Sequence, residues 1–328
     1  VIVRSKEEIL ATLDEDACLE RLPFQPEMLA FCGRRMRVAK VAHKTCDNIK
    51  KTGGRRMHAA VHLEGGRCDG AQHGGCQADC VFFWKEAWLQ RADAVTPTPP
   101  KVSPPTPAVT EELVQIRARA RGSETSDDPT WVCQTTALYD ATELLPWWDL
   151  RQYVRDVTSG NHTAWHMTKI LVAAMYRKFV AFGPGYSAKI KAYNAFQRVV
   201  GGEPFPEVKA QIKPGDKTPT EILDLQVGEL VEVRSGDEID ATITPDGKNR
   251  GMRYDMEMRK YSGRRYRVQM RVDKLIDEKT GKMVPMKNPC IQLENVYCRA
   301  ECTDRRLGCP RASNTYWREI WLRRVESP

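Results

Sequence analysis

Cysteine is the residue type whose number and spacing here suggest chemistry. Eleven occur, and nine fall into two groups near the ends of the chain. Cys32, Cys46, Cys68, Cys76 and Cys80 form the first group, and Cys290, Cys298, Cys302 and Cys309 the second. Each group has a compact tail, Cys68-x7-Cys76-x3-Cys80 and Cys290-x7-Cys298-x3-Cys302-x6-Cys309. Thiolates converging from two or three loops can hold zinc tetrahedrally. Four thiolates can also hold an iron–sulfur cluster. Disulfide density belongs to small secreted domains, and an odd count cannot all pair internally. The expectation is a metal site in which Cys68 and Cys76 converge with Cys32 and Cys46, or with Cys80. A second site is expected from Cys290, Cys298, Cys302 and Cys309. Zinc is the expected cofactor, and an iron–sulfur cluster is the alternative. The spacing is not the C-x2-C pair of zinc ribbons, so buried free thiols are the bland alternative. His73 lies between Cys68 and Cys76 and can offer a nitrogen ligand.

A second constellation runs from Leu145 to Asp156, with Trp147, Trp148, Asp149, Arg151 and Asp156. Asp149 or Asp156 could serve as a general base and Arg151 as an anion clamp. Against this stands a plainer use, in which the tryptophans anchor the segment and the charges pair at the surface. His162 and His166 lack the intervening Glu of H-E-x-x-H, so a zinc protease is not supported. Gly33-Arg34-Arg35 and Gly263-Arg264-Arg265 could meet phosphates, but acidic residues interleave and the formal charge is only +8. Nucleic acid is therefore a possible but disfavoured partner. Walker A, G-x-G-x-x-G and G-x-S-x-G patterns do not occur.

An internal repeat must position these residues. VIVRSKEEILATLDEDA from Val1 matches VEVRSGDEIDATITPDG from Val231, and the same shift carries Glu27-Met28 onto Glu257-Met258 and Cys68 onto Cys298. After three extra residues in the second copy, Cys76 meets Cys309, and Trp84-Lys85-Glu86-Ala87-Trp88-Leu89 meets Trp317-Arg318-Glu319-Ile320-Trp321-Leu322. Roughly a third of the aligned positions are identical, and the register holds over 1–92 and 231–325. The period is too long for a solenoid. Val227–Val233, Arg265–Val272, Cys290–Val296 and Trp317–Leu322 alternate apolar and polar residues, which predicts short half-buried strands. Several such strands in under a hundred residues suggest a small barrel. The run VGELVEVRS, followed by further strands, resembles the opening of SH3-like barrels. That resemblance implies an α+β chain with two homologous small SH3-like β-barrels flanking a helical middle segment.

The expected organisation is a first barrel with its cysteine site over 1–92 and a Pro-rich linker with a short helix over 93–130. A helical middle segment covers 131–220, and a second barrel with its cysteine cluster covers 221–328. Helices are expected over Glu111–Arg121, Ala164–Phe182 and Tyr186–Val200. With 328 residues, 41% hydrophobic and 29% charged, the composition is that of a globular protein. It contains no apolar run long enough to span a membrane. The first residue is Val1, not Met, so the sequence leaves open the native start and any targeting peptide on it. The cysteine usage points to a reducing compartment, the cytoplasm. The expected function is a cysteine-ligated metal-binding protein, acting as a structural or interaction component of a multi-protein pathway. Its partner would be another protein or a small anionic ligand. The alternatives are an iron–sulfur or zinc enzyme, with a pocket between the first barrel and the helical segment, and a nucleic-acid-binding tandem module.

Overall fold

A computed structural model describes residues 1–93, 109–200, 204–205, 207, 209–302 and 305–325. The Pro-rich stretch Thr96–Pro107 lies outside the described residues. The fold is mixed α+β, with several small antiparallel sheets and a central helical segment. Packing divides the chain into two compact units. One comprises 1–162, 274–285 and 309–313, and the other 163–273, 286–308 and 314–328.

In the first unit, Ser5 starts helix α1 (Lys6–Leu10) through a capping box with Glu8. Thr110 caps α2 (Glu111–Ile116), and α3 spans Arg151–Thr158. The strand Val38–Val41 pairs with Ala60–Leu63, which also pairs with Trp84–Lys85. Gly54–Arg56 is flanked by Lys44–Cys46 and Glu143–Leu145. The core gathers Phe24, Met28, Phe82, Phe83, Trp84 and Trp88, all essentially out of water. Burial of these rings supplies the main driving force for this unit.

In the second unit, Thr163 caps α4 (Ala164–Ala181), which is followed by α5 (Tyr186–Val200). Ser235 repeats the capping box at α6 (Gly236–Asp240) with Glu238. A four-stranded antiparallel sheet joins Ile291–Leu293, Arg265–Arg271, Leu230–Val233 and Leu322–Arg324, in that order.

The two copies of the repeat reproduce one another in register. Val38 faces Leu63 and Lys40 faces His62, with an irregularity between them; Val268 faces Leu293 and Met270 faces Gln292, with the irregularity at the same place. Phe24 meets Trp88 edge-on at 5.2 Å, and Tyr254 meets Trp321 at 5.4 Å. The indole of Trp88 donates to Thr12 Oγ1 at 3.0 Å, and that of Trp321 to Thr242 Oγ1 at 2.9 Å.

Two expectations need correction. No closed barrel is present among the described residues; the strands form small open sheets. Closure needs every strand paired along both edges. Here, strands of two to four residues dominate, and turns and 3-10 segments interrupt the ladder. The Trp-x-x-x-Trp segments are not single strands either. Each is broken by a 3-10 turn, at Glu86–Trp88 and Glu319–Trp321. Among the described residues, no helix is long and apolar enough to cross a membrane.

Candidate metal centre

The loop Gly70–Cys76 sets the centre of the site. His73 N and Gly75 N both donate to Gly70 O at 2.9 Å, folding the loop back on itself. Gly70 has a positive φ of 69°, and a Cβ there would stand 2.0 Å from Cys76 O. Only glycine fits such a conformation and approach. Gly74, at φ 63°, packs against Trp131 so closely that a Cβ would lie 2.7 Å from the ring. The loop thereby buries His73 under Trp131, with ring centroids 5.9 Å apart.

Glu27 enters from the 3-10 helix Pro26–Phe31, and Cys68 from the segment that follows the strand Ala60–Leu63. The donor atoms of Glu27, Cys68 and His73 all lie within 4.8 Å of one another. Among the described residues, this is the one group of three or more such side chains close enough to hold a metal ion. His73 Nδ1 is 2.7 Å from Glu27 Oε1, and His73 Nε2 is 3.0 Å from Val132 O. Gln72 N donates to Glu27 Oε1 at 3.1 Å. Gln25 Nε2 donates to Cys68 Sγ at 3.5 Å, and Cys68 N to Cys80 O at 2.8 Å. Glu27 Oε2 is buried without a hydrogen-bond partner among the described residues. A buried carboxylate oxygen of that kind is costly unless a cation or donor meets it.

Burial alone would raise the Glu27 carboxyl. The hydrogen bond and charge of His73 outweigh it, with help from backbone N–H groups, and hold the carboxyl below its ordinary range. Burial pushes the Cys68 thiol far up, and the neighbouring Glu27 charge adds to this. Cys80 and Cys133 also bear electrostatically on Cys68.

The other predicted ligands have different surroundings. Cys32 ends the 3-10 helix Pro26–Phe31, within reach of the charges of Lys6, Glu111 and Glu7. Cys76 Sγ accepts from Ile276 N at 3.3 Å. Cys46, Cys80 and Cys309 bear on the buried guanidinium of Arg311, whose Nη2 is 3.5 Å from Glu278 Oε1. A place already holding one cation disfavours a second. In the second unit, Cys290 lies near Arg318, and burial pushes its thiol up to about 12. Cys298 is half-buried. Cys302 donates its backbone N–H to Glu257 Oε1, as Gln72 does to Glu27 in the first copy. All six histidines lie between His43 and His166, so the second copy has no counterpart of His73.

Asp149 sits just before α3, 2.8 Å from Arg56 Nη2 and 2.8 Å from Arg151 Nε. The Arg151 hydrogen bonds hold its carboxyl down to about 2. Asp156 is fully buried, 2.5 Å from Lys44 Nζ and 3.2 Å from His43 Nε2. Burial lowers Lys44, and Asp156 partly opposes that. The ionic partners of Asp149, Arg151 and Asp156 therefore come from outside the Glu27 group. Trp147 and Trp148 are exposed.

Glu27 is the functional candidate that sequence reasoning missed. Its signal was its survival in both copies, as Glu27 and Glu257. No protein family, curated protein or solved structure matches the chain.

Proposed function

We propose that the protein binds a zinc ion through Glu27, Cys68 and His73 and uses it as a structural staple. The convergence of these three donors around an otherwise unpartnered carboxylate oxygen carries this reading. The donor set is one thiolate sulfur, one imidazole nitrogen and one carboxylate oxygen, each an ordinary zinc ligand. An iron–sulfur cluster asks for four thiolates, a poorer fit to a group with one sulfur. With His73 Nδ1 turned to the ion, its Nε2–H would donate to Val132 O. Ligating histidines are oriented by such outer bonds. Cys133, which also bears electrostatically on Cys68, is the thiol to offer as a fourth ligand.

Burial of Glu27 and His73 favours a structural ion over a catalytic one. The protein would then act as a structural or interaction component, with another protein or a small anion as its partner. Its eleven free thiols suit a reducing compartment such as the cytoplasm. A zinc enzyme is the second reading, because three protein ligands leave one coordination position open. Elemental analysis of anaerobically purified protein tests the proposal. Zinc near one equivalent, lost on Cys68→Ser, supports it. Iron with absorbance near 400 nm would replace it with a cluster.

A further inference from the structure

Helix α4 is apolar on two opposite sides. Met167, Ile170, Ala174 and Val180 are buried. On the other side Trp165, Val172, Met175, Phe179 and Phe182 face water, with Trp165 68% and Phe182 84% exposed. The spacing of seven, three and four residues from Trp165 to Phe179 keeps those four on one stripe of a helix with 3.6 residues per turn, and Phe182 follows as the extended residue that caps it. Lys169 and Lys178 flank the stripe, one on either side. Helix α5 adds exposed Phe196 and Val199.

The hairpin is built to hold this surface. Tyr176 donates its hydroxyl to Lys189 O at 2.8 Å, and its ring lies 5.1 Å from that of Tyr193. Lys189 Nζ donates to Phe179 O at 3.0 Å and Phe182 O at 2.7 Å, capping the end of α4. Gly183-Pro184-Gly185 then turns the chain beside Phe182. From Thr163 to Val200 there are six Lys and Arg residues and no Asp or Glu. An apolar stripe edged by cations matches an anionic bilayer surface: the rings enter the headgroup boundary, and the lysines reach lipid phosphates. Two copies of the same face would bring like charges together, which disfavours a self-dimer.

We propose that the α4–α5 hairpin docks the protein on an anionic lipid surface, with Trp165, Phe179 and Phe182 inserted and Lys169 and Lys178 on the headgroups. Vesicle co-sedimentation of the full chain tests this, comparing phosphatidylcholine alone with phosphatidylcholine mixed with phosphatidylglycerol. The expected result is binding to the anionic vesicles only, weakening as salt rises. Phe179→Ser with Phe182→Ser should weaken binding by tenfold or more, about the effect of losing one or two buried aromatics. Lys169→Glu with Lys178→Glu reverses two solvent-exposed charges and should also weaken it about tenfold. No binding to anionic vesicles, or wild-type binding by both variants, would overturn the proposal. Dimerisation through this stripe without vesicle binding, or capture by an acidic helical protein instead, would overturn it as well.

Discussion

His73 Nδ1 stands 2.7 Å from Glu27 Oε1, with both side chains removed from water. A buried carboxylate needs a hydrogen-bond donor or a cation to meet it, and removing one member of such a buried pair leaves the other unsatisfied. Glu27→Ala should therefore destabilise the first unit by about 2 kcal/mol, read from the denaturant midpoint at unchanged slope. A cost below about 1 kcal/mol would mean that the pair is replaced by water.

The Glu27 carboxyl also sets an acid limit. Its folded value is depressed below the ordinary 4.5. Its contribution is therefore present above 4.5 and lost as pH falls through the lower folded value. Glu27→Gln should flatten this part of the stability–pH curve. An unchanged acid limb would remove Glu27 from the account.

His62 gives a second pH response of known direction. Its Nδ1 is 2.9 Å from Phe82 O, and Nε2 is buried without a hydrogen-bond partner among the described residues. Burial lowers the group from 6.5 to about 4. Below 6.5 the unfolded chain takes up the proton more readily, so stability falls as pH drops from 6.5 towards 4. The loss is about 3 kcal/mol over that window. Gln292 occupies the matching place in the second copy. His62→Gln should abolish that slope, and an unaltered slope would assign it to other groups.

The repeat makes a paired prediction. Thr12→Ala and Thr242→Ala each delete one indole hydrogen bond, to Trp88 and Trp321. Each should cost about 1 kcal/mol, and the two should be alike within a few tenths. A cost confined to one copy would show that the matched geometry does not carry matched energetics.

Much of the fold was legible because the chain states it twice. The register of Val38 with Leu63 and of Val268 with Leu293 follows the match between the copies. The helix over Tyr186–Val200 was readable from its apolar spacing. The Trp317–Leu322 run, read as a strand, misled because its apolar spacing does not exclude the 3-10 turn that the chain takes at Glu319–Trp321. The site was legible only in part. Cys68 and His73 stood out by type and proximity in sequence. Glu27 lies 46 residues from His73, and carboxylates are too common for one to mark itself as a ligand. Spacing alone could not sort the other thiols, since it shows nothing of a neighbour such as Arg311, on whose buried guanidinium Cys46, Cys80 and Cys309 bear.

The most direct measurement is the metal content of anaerobically purified protein beside its Cys68→Ser and His73→Ala variants, with thermal unfolding of each. The account predicts about one zinc per wild-type chain, substoichiometric zinc in both variants, and a lowered melting temperature that chelator reproduces in the wild type. Equal zinc in all three proteins, or no zinc in a wild-type chain whose melting ignores chelator, would contradict it.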